Sequence, residues 1–249
     1  MSESEDERLQ RIVTERLERP LPRRFYKEVS VSPVLSILLD GRPVKTPLKA
    51  ALQLPNARLA EAVAAEWRAQ DTHIDAVRMP LTKLANTAID RATQERVTVI
   101  DEIVAYAGND LVCYWADGPP DLVARQRQHW QPVVDWAQQK FSADIKTASG
   151  IRHVPQLPEM LEAVRRHAEA QDNWQLTALF LLTTKTGSML LSAMQMAGAA
   201  SPDDAWAAAH VDEDYQIANW GLDWEAEQRR TSRRNEFNGL MTFLELIRA

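Results

Sequence analysis

The run from His210 to Glu227 (His-Val-Asp-Glu-Asp-Tyr-Gln-Ile-Ala-Asn-Trp-Gly-Leu-Asp-Trp-Glu-Ala-Glu) concentrates side chains suited to recognition. Tyr215, Trp220 and Trp224 stand among Asp212, Glu213, Asp214, Asp223, Glu225 and Glu227. Arg229, Arg230, Arg233 and Arg234 follow at once. Exposed aromatics ringed by charge make a protein-binding patch, because the flat apolar faces supply contact energy and the charged rim stays wet. The same residues also suit a helix that ends at Gly221, with Trp220 packed inward and the acids paired to the arginines across solvent. Both readings stand on the residues alone.

Covalent and metal chemistry find little support. None of the eight glycines forms a phosphate-cradling G-x-x-x-x-G-K-[ST] or G-x-G-x-x-G run. There is no G-x-S-x-G nucleophile elbow. His73, His129, His153, His167 and His210 are scattered, and none pairs with another histidine or with Cys113 at zinc-ligand spacing. Cys113 lies in an apolar run, where a thiol is buried and inert. Lys185-Thr186-Gly187 matches a triplet of serine β-lactamases, but it sits in a helical run without the companion S-x-x-K. No cofactor is called for. The rival reading is a small hydrolase or transferase whose site lies at a domain junction, with Asp90, Asp101, Glu102 and His129 converging there.

Those residues must be positioned by a fold, and composition bounds it. The 249 residues suffice for one large or two modest domains. A hydrophobic share of 45% and a charged share of 26% are those of a globular protein. The net charge of -6 argues against a dedicated nucleic-acid binder. A single cysteine excludes an intrachain disulfide and fits a reducing compartment. The opening Met-Ser-Glu-Ser-Glu-Asp-Glu is acidic, unlike a signal or transit peptide, so a cytoplasmic location or a matured form is expected. Leu176–Ala200 is the one strongly apolar run, and its lysine and hydroxyls suit a buried helix rather than a membrane span.

Periodicity predicts an α+β fold: a small β-rich N-terminal domain followed by a larger all-helical C-terminal domain. Residues 1–24 mix acids and arginines around a thin apolar stripe and read as an N-terminal arm, ended by Pro20 and Pro22. Residues 25–78 form the β-rich domain. Asp40-Gly41 between two apolar runs predicts a hairpin, and Pro43 puts the return strand at an edge. Leu52 and Leu54 predict a further strand. Asn56 is placed to cap a helix over 57–70. Residues 79–249 form the helical domain, opened by a helix from Pro80 to Arg91 that acts as a seam. Its polar face carries Lys83, Asn86, Thr87 and Asp90, of which Asn86 and Asp90 are expected to join the domains. Further helices are expected after it, with Gly108 stopping the next one. Pro132 would kink a helix over 122–141 or start its second half. Residues 173–198 would form one central helix, and Ser201-Pro202-Asp203-Asp204 would start another.

Several stretches resemble the family of F1-ATPase assembly chaperones that handle the α subunit of ATP synthase in mitochondria and related bacteria. They are Phe25-Tyr-Lys-Glu-Val-Ser-Val, Leu39-Asp-Gly-Arg-Pro-Val-Lys-Thr-Pro47 and Ala64-Ala-Glu-Trp67. Met79 to Arg91, Tyr106-Ala-Gly-Asn-Asp-Leu111 and Asp214-Tyr-Gln-Ile-Ala-Asn-Trp-Gly221 complete the series, in order, over residues 24–225. The resemblance implies a β-rich front and a helical back, no enzymatic activity, and a bacterial cytoplasmic member of a family found in the mitochondrial matrix of eukaryotes. It implies binding of free F1 α subunit until the β subunit arrives. It also links an acidic residue just past the Trp-Gly step to function. Spacing after Gly221 departs from the mitochondrial members, so Asp223 and Glu225 both fit that role. With Tyr215, Trp220 and Glu227 they form the expected client-binding set.

Overall fold

The structure, a computed structural model, describes residues 20–248. Most of the expected N-terminal arm, residues 1–19, lies outside them. Residues 20–24 run extended beside residues 72–74, with the Ile74 N–H donating to the Pro22 carbonyl at 2.8 Å.

The front is a small antiparallel sheet of β1 (Val29–Val31), β2 (Ile37–Leu39) and β3 (Arg42–Pro43), in that order. Asp40 and Gly41 turn the chain between β2 and β3 with φ of 48° and 78°. Glycine enters that region freely and aspartate tolerates it. The Asp40 carboxylate also accepts from the Lys27 and Glu28 N–H groups, which ties the turn to β1. Pro43 occupies the edge strand, where its missing N–H leaves no ladder bond unmade. The expected strand at Leu52–Leu54 is instead an extended segment held by single bridges. The Leu52 N–H donates to the Val44 carbonyl at 3.0 Å, and its carbonyl accepts from Ile37 at 3.2 Å.

Helix α1 (Ala57–Arg68) follows, capped by Asn56, whose Oδ1 accepts from the Leu59 N–H at 2.9 Å. Its Nδ2 donates to the Leu246 carbonyl at 2.8 Å, so one side chain caps α1 and holds the far end of the chain. A 3-10 turn over Ala76–Arg78 leads into the seam helix α2 (Pro80–Gln94), with Pro80 in its first turn as predicted. Leu81, Thr82, Ala85, Ala88 and Ala92 form its buried face.

The back is helical: α3 (Arg96–Gly108), α4 (Pro120–Phe141), α5 (Pro158–Glu169), α6 (Asn173–Thr186), α7 (Met189–Met196), α8 (Pro202–Ala209), α9 (Val211–Trp220) and α10 (Trp224–Ile247). A 3-10 turn over Leu111–Cys113 and two short parallel strands, β4 (Tyr114–Trp115) and β5 (Ala148–Ser149), interrupt it. Helix α4 is continuous across Pro132. The expected single helix over 173–198 breaks into α6 and α7. Gly187, at φ 71°, ends the first, and the Ser188 hydroxyl caps the second by accepting from Leu191 at 3.0 Å. Asp172 caps α6 with a capping box and Ser201 caps α8.

One apolar core joins front and back. Ile37, Leu52 and Leu59 belong to the same buried cluster as Leu81, Ile103, Leu179 and Phe243. Cys113 is fully buried within it, and burial pushes its thiol pKa far above the ordinary range. Among the described residues, no helix is long and apolar enough to cross a membrane.

Candidate functional site

Helix α9 begins with Asp212, Glu213 and Asp214 in its first turn, where the helix dipole favours negative charge. Arginines of α10 reach back to them. Arg230 pairs with Glu213 at 2.9 Å and also with Asp214, while Arg233 pairs with Glu213 and Arg234 with Asp203 of α8. The expected pairing of acids with arginines therefore holds for Glu213 and Asp214, whereas Asp212 accepts from the Gln126 amide at 2.7 Å. Beneath this lattice His210 stacks on Trp206 at 3.8 Å, and its Nδ1 lies 2.9 Å from the Trp206 carbonyl. Burial lowers the pKa of its ring.

Tyr215 is buried. Its hydroxyl donates to Asp121 of α4 at 3.2 Å, and the Arg125 guanidinium lies 5.5 Å from its ring centre. Burial, with Asp121 beside it, raises the hydroxyl pKa. Trp220 stands edge-on against this anchored ring at 6.3 Å, yet 75% of its surface is exposed. The inward packing that the sequence also allowed for Trp220 does not occur.

Gly221 then turns the chain at φ 79° and ψ −176°, a conformation essentially closed to residues with a Cβ. Asp223 caps α10, its Oδ1 accepting from the Ala226 N–H at 2.9 Å. The corner between α9 and α10 presents Trp220, Leu222 and Trp224, the last 68% exposed. Asp223, Glu225 and Glu227 surround them, all exposed. Of these, Glu225 has one loose ion pair, with Arg229 at 3.5 Å, and Glu227 has none among the described residues. An open groove of about 490 Å³ runs behind the corner, between Trp206, Ile217, Leu222 and Glu227. Glu213 and Asp214 are thus neutralised, whereas the acids after Gly221 keep most of their charge beside exposed indoles.

Of the five residues expected to form the client set, Trp220, Asp223, Glu225 and Glu227 share this exposed corner, and Tyr215 lies beneath as its support. Leu222 and Trp224 join them. Trp224 was visible in the sequence as one more aromatic, but only the turn at Gly221 puts it outside. The partners of Tyr215, Asp121 and Arg125, lie some ninety residues earlier and carry no local signal.

The three acids of the rival enzymatic reading have separate engagements. Asp90 accepts from the Thr46 hydroxyl at 2.6 Å and the Leu48 N–H at 3.0 Å, joining α2 to the front as expected. Both Glu102 carboxylate oxygens accept from Arg91 Nη2 at 3.0 Å, and Asp101 accepts from Arg165 at 2.7 Å. His129 is on α4. The junction itself holds an open, mainly apolar groove of about 500 Å³ rather than a narrow acid-lined cavity. Asn86 makes no such link from front to back: its Oδ1 is buried and has no hydrogen-bond partner among the described residues. Among the described residues no cluster of His, Cys, Asp or Glu is arranged to hold a metal ion.

Comparison with known proteins agrees with this architecture. The sequence profile of the ATP12 chaperone protein family matches residues 23–138. The structure is similar to that of Atp12 from Paracoccus denitrificans, with 36% identity over 90% of this chain and 98% of the other, and a TM-score of 0.84. A variant of that protein with one aspartate changed to lysine matches equally, at 36% identity over 90% of this chain and 97% of the other, with a TM-score of 0.85. A chaperone candidate from Agrobacterium tumefaciens is 37% identical over 93% of this chain and 88% of its own, with a TM-score of 0.86.

Proposed function

The chain belongs to the ATP12 chaperone family, and on that premise we propose that it holds the free F1 α subunit of ATP synthase until β replaces it. The corner from Trp220 to Glu227 is the surface that takes the client. The observation that carries this is the pairing of exposed indoles with acids that keep most of their charge at one turn, on a protein whose family acts as chaperones. A newly made subunit of an oligomer exposes the apolar surface it later buries against its neighbours, and that surface aggregates. A holder needs apolar contact to cover it and a wet, charged rim so that a larger interface can displace the holder. Trp220, Leu222 and Trp224 supply the first, and Asp223, Glu225 and Glu227 the second.

Helix α4 supports the corner, since Tyr215 under Trp220 is held by its Asp121 and Arg125. No covalent step is required of any side chain. The test is light scattering of purified α subunit diluted from denaturant, with and without the chain. Scattering should be suppressed at near-equal amounts, and added β should release the chain from α. If α aggregates as fast in its presence, the reading fails.

A further inference from the structure

We propose that the groove at the junction of front and back is a second contact for the client, and that it takes an extended peptide segment. This rests on the client-holding reading above, and on features of the groove that the corner does not explain. Pro47, Ile74, Ala76 and Met79 line it together with Trp67 and Asn86. Two of the residues lining it each carry a buried polar atom, Trp67 Nε1 and Asn86 Oδ1, with no hydrogen-bond partner among the described residues. Buried polar groups in folded proteins are nearly always paired, so an unpaired donor and an unpaired acceptor in one groove call for a ligand that offers both complements.

A peptide unit offers both: its carbonyl accepts from the indole N–H, and its N–H donates to the asparagine carbonyl. An extended chain also carries side chains for the apolar walls. The rim supports this chemistry. Val77, 88% exposed, and Leu48, 57% exposed, flank the lining residues Ala76 and Pro47. Charge narrows the sequence of the segment. Asp90 is held by Thr46 and Leu48, and Arg91 by Glu95 and Glu102, so both are spent. Lys83 has no ion-pair partner among the described residues, and it selects a segment with an acidic residue beside its apolar one.

The polar face of the seam helix, with Lys83, Asn86, Thr87 and Asp90, is thereby assigned: Asp90 secures the front, and the other three face the groove. The experiment uses immobilised peptides that tile the F1 α sequence, probed with the full chain and with Trp67→Phe, Asn86→Leu and Lys83→Glu variants. Trp67→Phe removes the N–H and keeps a smaller aromatic ring. Segments that pair apolar with acidic residues should bind, and each variant should bind them about five- to tenfold more weakly. The thermal midpoints of Trp67→Phe and Asn86→Leu should hold or rise, because an unpaired buried polar atom is removed. Lower midpoints with unchanged peptide binding would assign both atoms to the fold and overturn the proposal.

Photo-crosslinkers placed at Val77 and at Trp220 separate this inference from the reading beneath it. Capture of α from both positions supports the groove. Capture from position 220 alone overturns the groove and leaves the corner. Capture from neither overturns both. A crosslink from position 77 to residues 1–19 of the same chain, or to a second copy, gives the groove another occupant and overturns the proposal.

Discussion

Glu66 caps a helix that is not its own. From α1, its carboxylate accepts from the N–H groups of Leu81 and Thr82 and from the Thr82 hydroxyl, each at 2.7 Å. Met79, the residue at the start of α2, gives no side-chain cap, and Pro80 has no N–H to satisfy. Glu66 therefore does from the neighbouring helix what a capping serine does locally. Glu66→Ala should lower the unfolding free energy by about 2 kcal/mol, since two buried N–H groups lose their acceptor. Glu66→Gln should cost less, because one oxygen still accepts. Urea denaturation of the three proteins measures this, and an unchanged midpoint in Glu66→Ala would refute the capping role.

Asp110 gives stability a pH dependence of defined sign. It is fully buried, and its oxygens accept from the N–H groups of Val112 at 3.2 Å and Leu190 at 3.0 Å, tying the 3-10 turn after α3 to α7. Burial raises its pKa to about 6 from an ordinary 3.8, against these bonds. The folded chain thus binds this proton more tightly than the unfolded one. The associated stability is fully present below the unfolded value and is lost as pH rises through the folded one. The span corresponds to about 3 kcal/mol at most, at roughly 1.4 kcal/mol per unit. Asp110→Asn does not titrate, and its amide sets an N–H against an N–H. The wild-type advantage over Asp110→Asn should shrink between pH 4.5 and 7. A difference that stays constant across that range would remove Asp110 as the source.

Gly221 holds the corner by conformation alone. A Cβ built there meets nothing within 4 Å, so steric contact does not demand glycine. The backbone does, at φ 79° and ψ −176°. Gly221→Ala should cost about 1–3 kcal/mol as strain. Part of that strain can be relieved by rotating the turn, which would move Trp224 relative to Trp220. Suppression of α aggregation should therefore fall by more than the loss of folded protein explains. Denaturation and scattering assays on the same preparation compare the two.

What was legible in the sequence was local. Asn56 and Ser201 each act on N–H groups within a few residues, Asp40-Gly41 turns the chain between adjacent strands, and each is where its residue type places it. The break at Gly187-Ser188 has an equally local cause but was hidden. Both α6 and α7 are buried nearly all round, so no apolar period changes phase across the break. Long-range pairs left no mark: nothing near Tyr215 names Asp121, and nothing near Thr82 names Glu66. Asn86 and Asp90 lie on one face at helical spacing and look equivalent in sequence. Only Asp90 lies beneath Thr46 and Leu48, and that depends on how the front docks.

The client corner is tested by separating charge, cap and indole. Trp220→Ala and Trp224→Ala remove exposed rings, so each should leave unfolding within about 0.5 kcal/mol of wild type. Truncating an aromatic anchor of an interface costs about 2 kcal/mol or more, so affinity for α should fall some thirtyfold. Asp223 has two jobs, capping α10 and carrying charge. Asparagine caps as well as aspartate, so Asp223→Asn should keep stability and change only the charge. Asp223→Ala loses both and should cost about 1 kcal/mol of stability as well. Glu225→Lys and Glu227→Lys reverse rim charges without touching a cap. Their effect should appear mainly in the association rate and should fade as salt is raised. Retained affinity in Trp220→Ala, Trp224→Ala and Asp223→Asn, each shown to be folded, would mean that the client sits elsewhere.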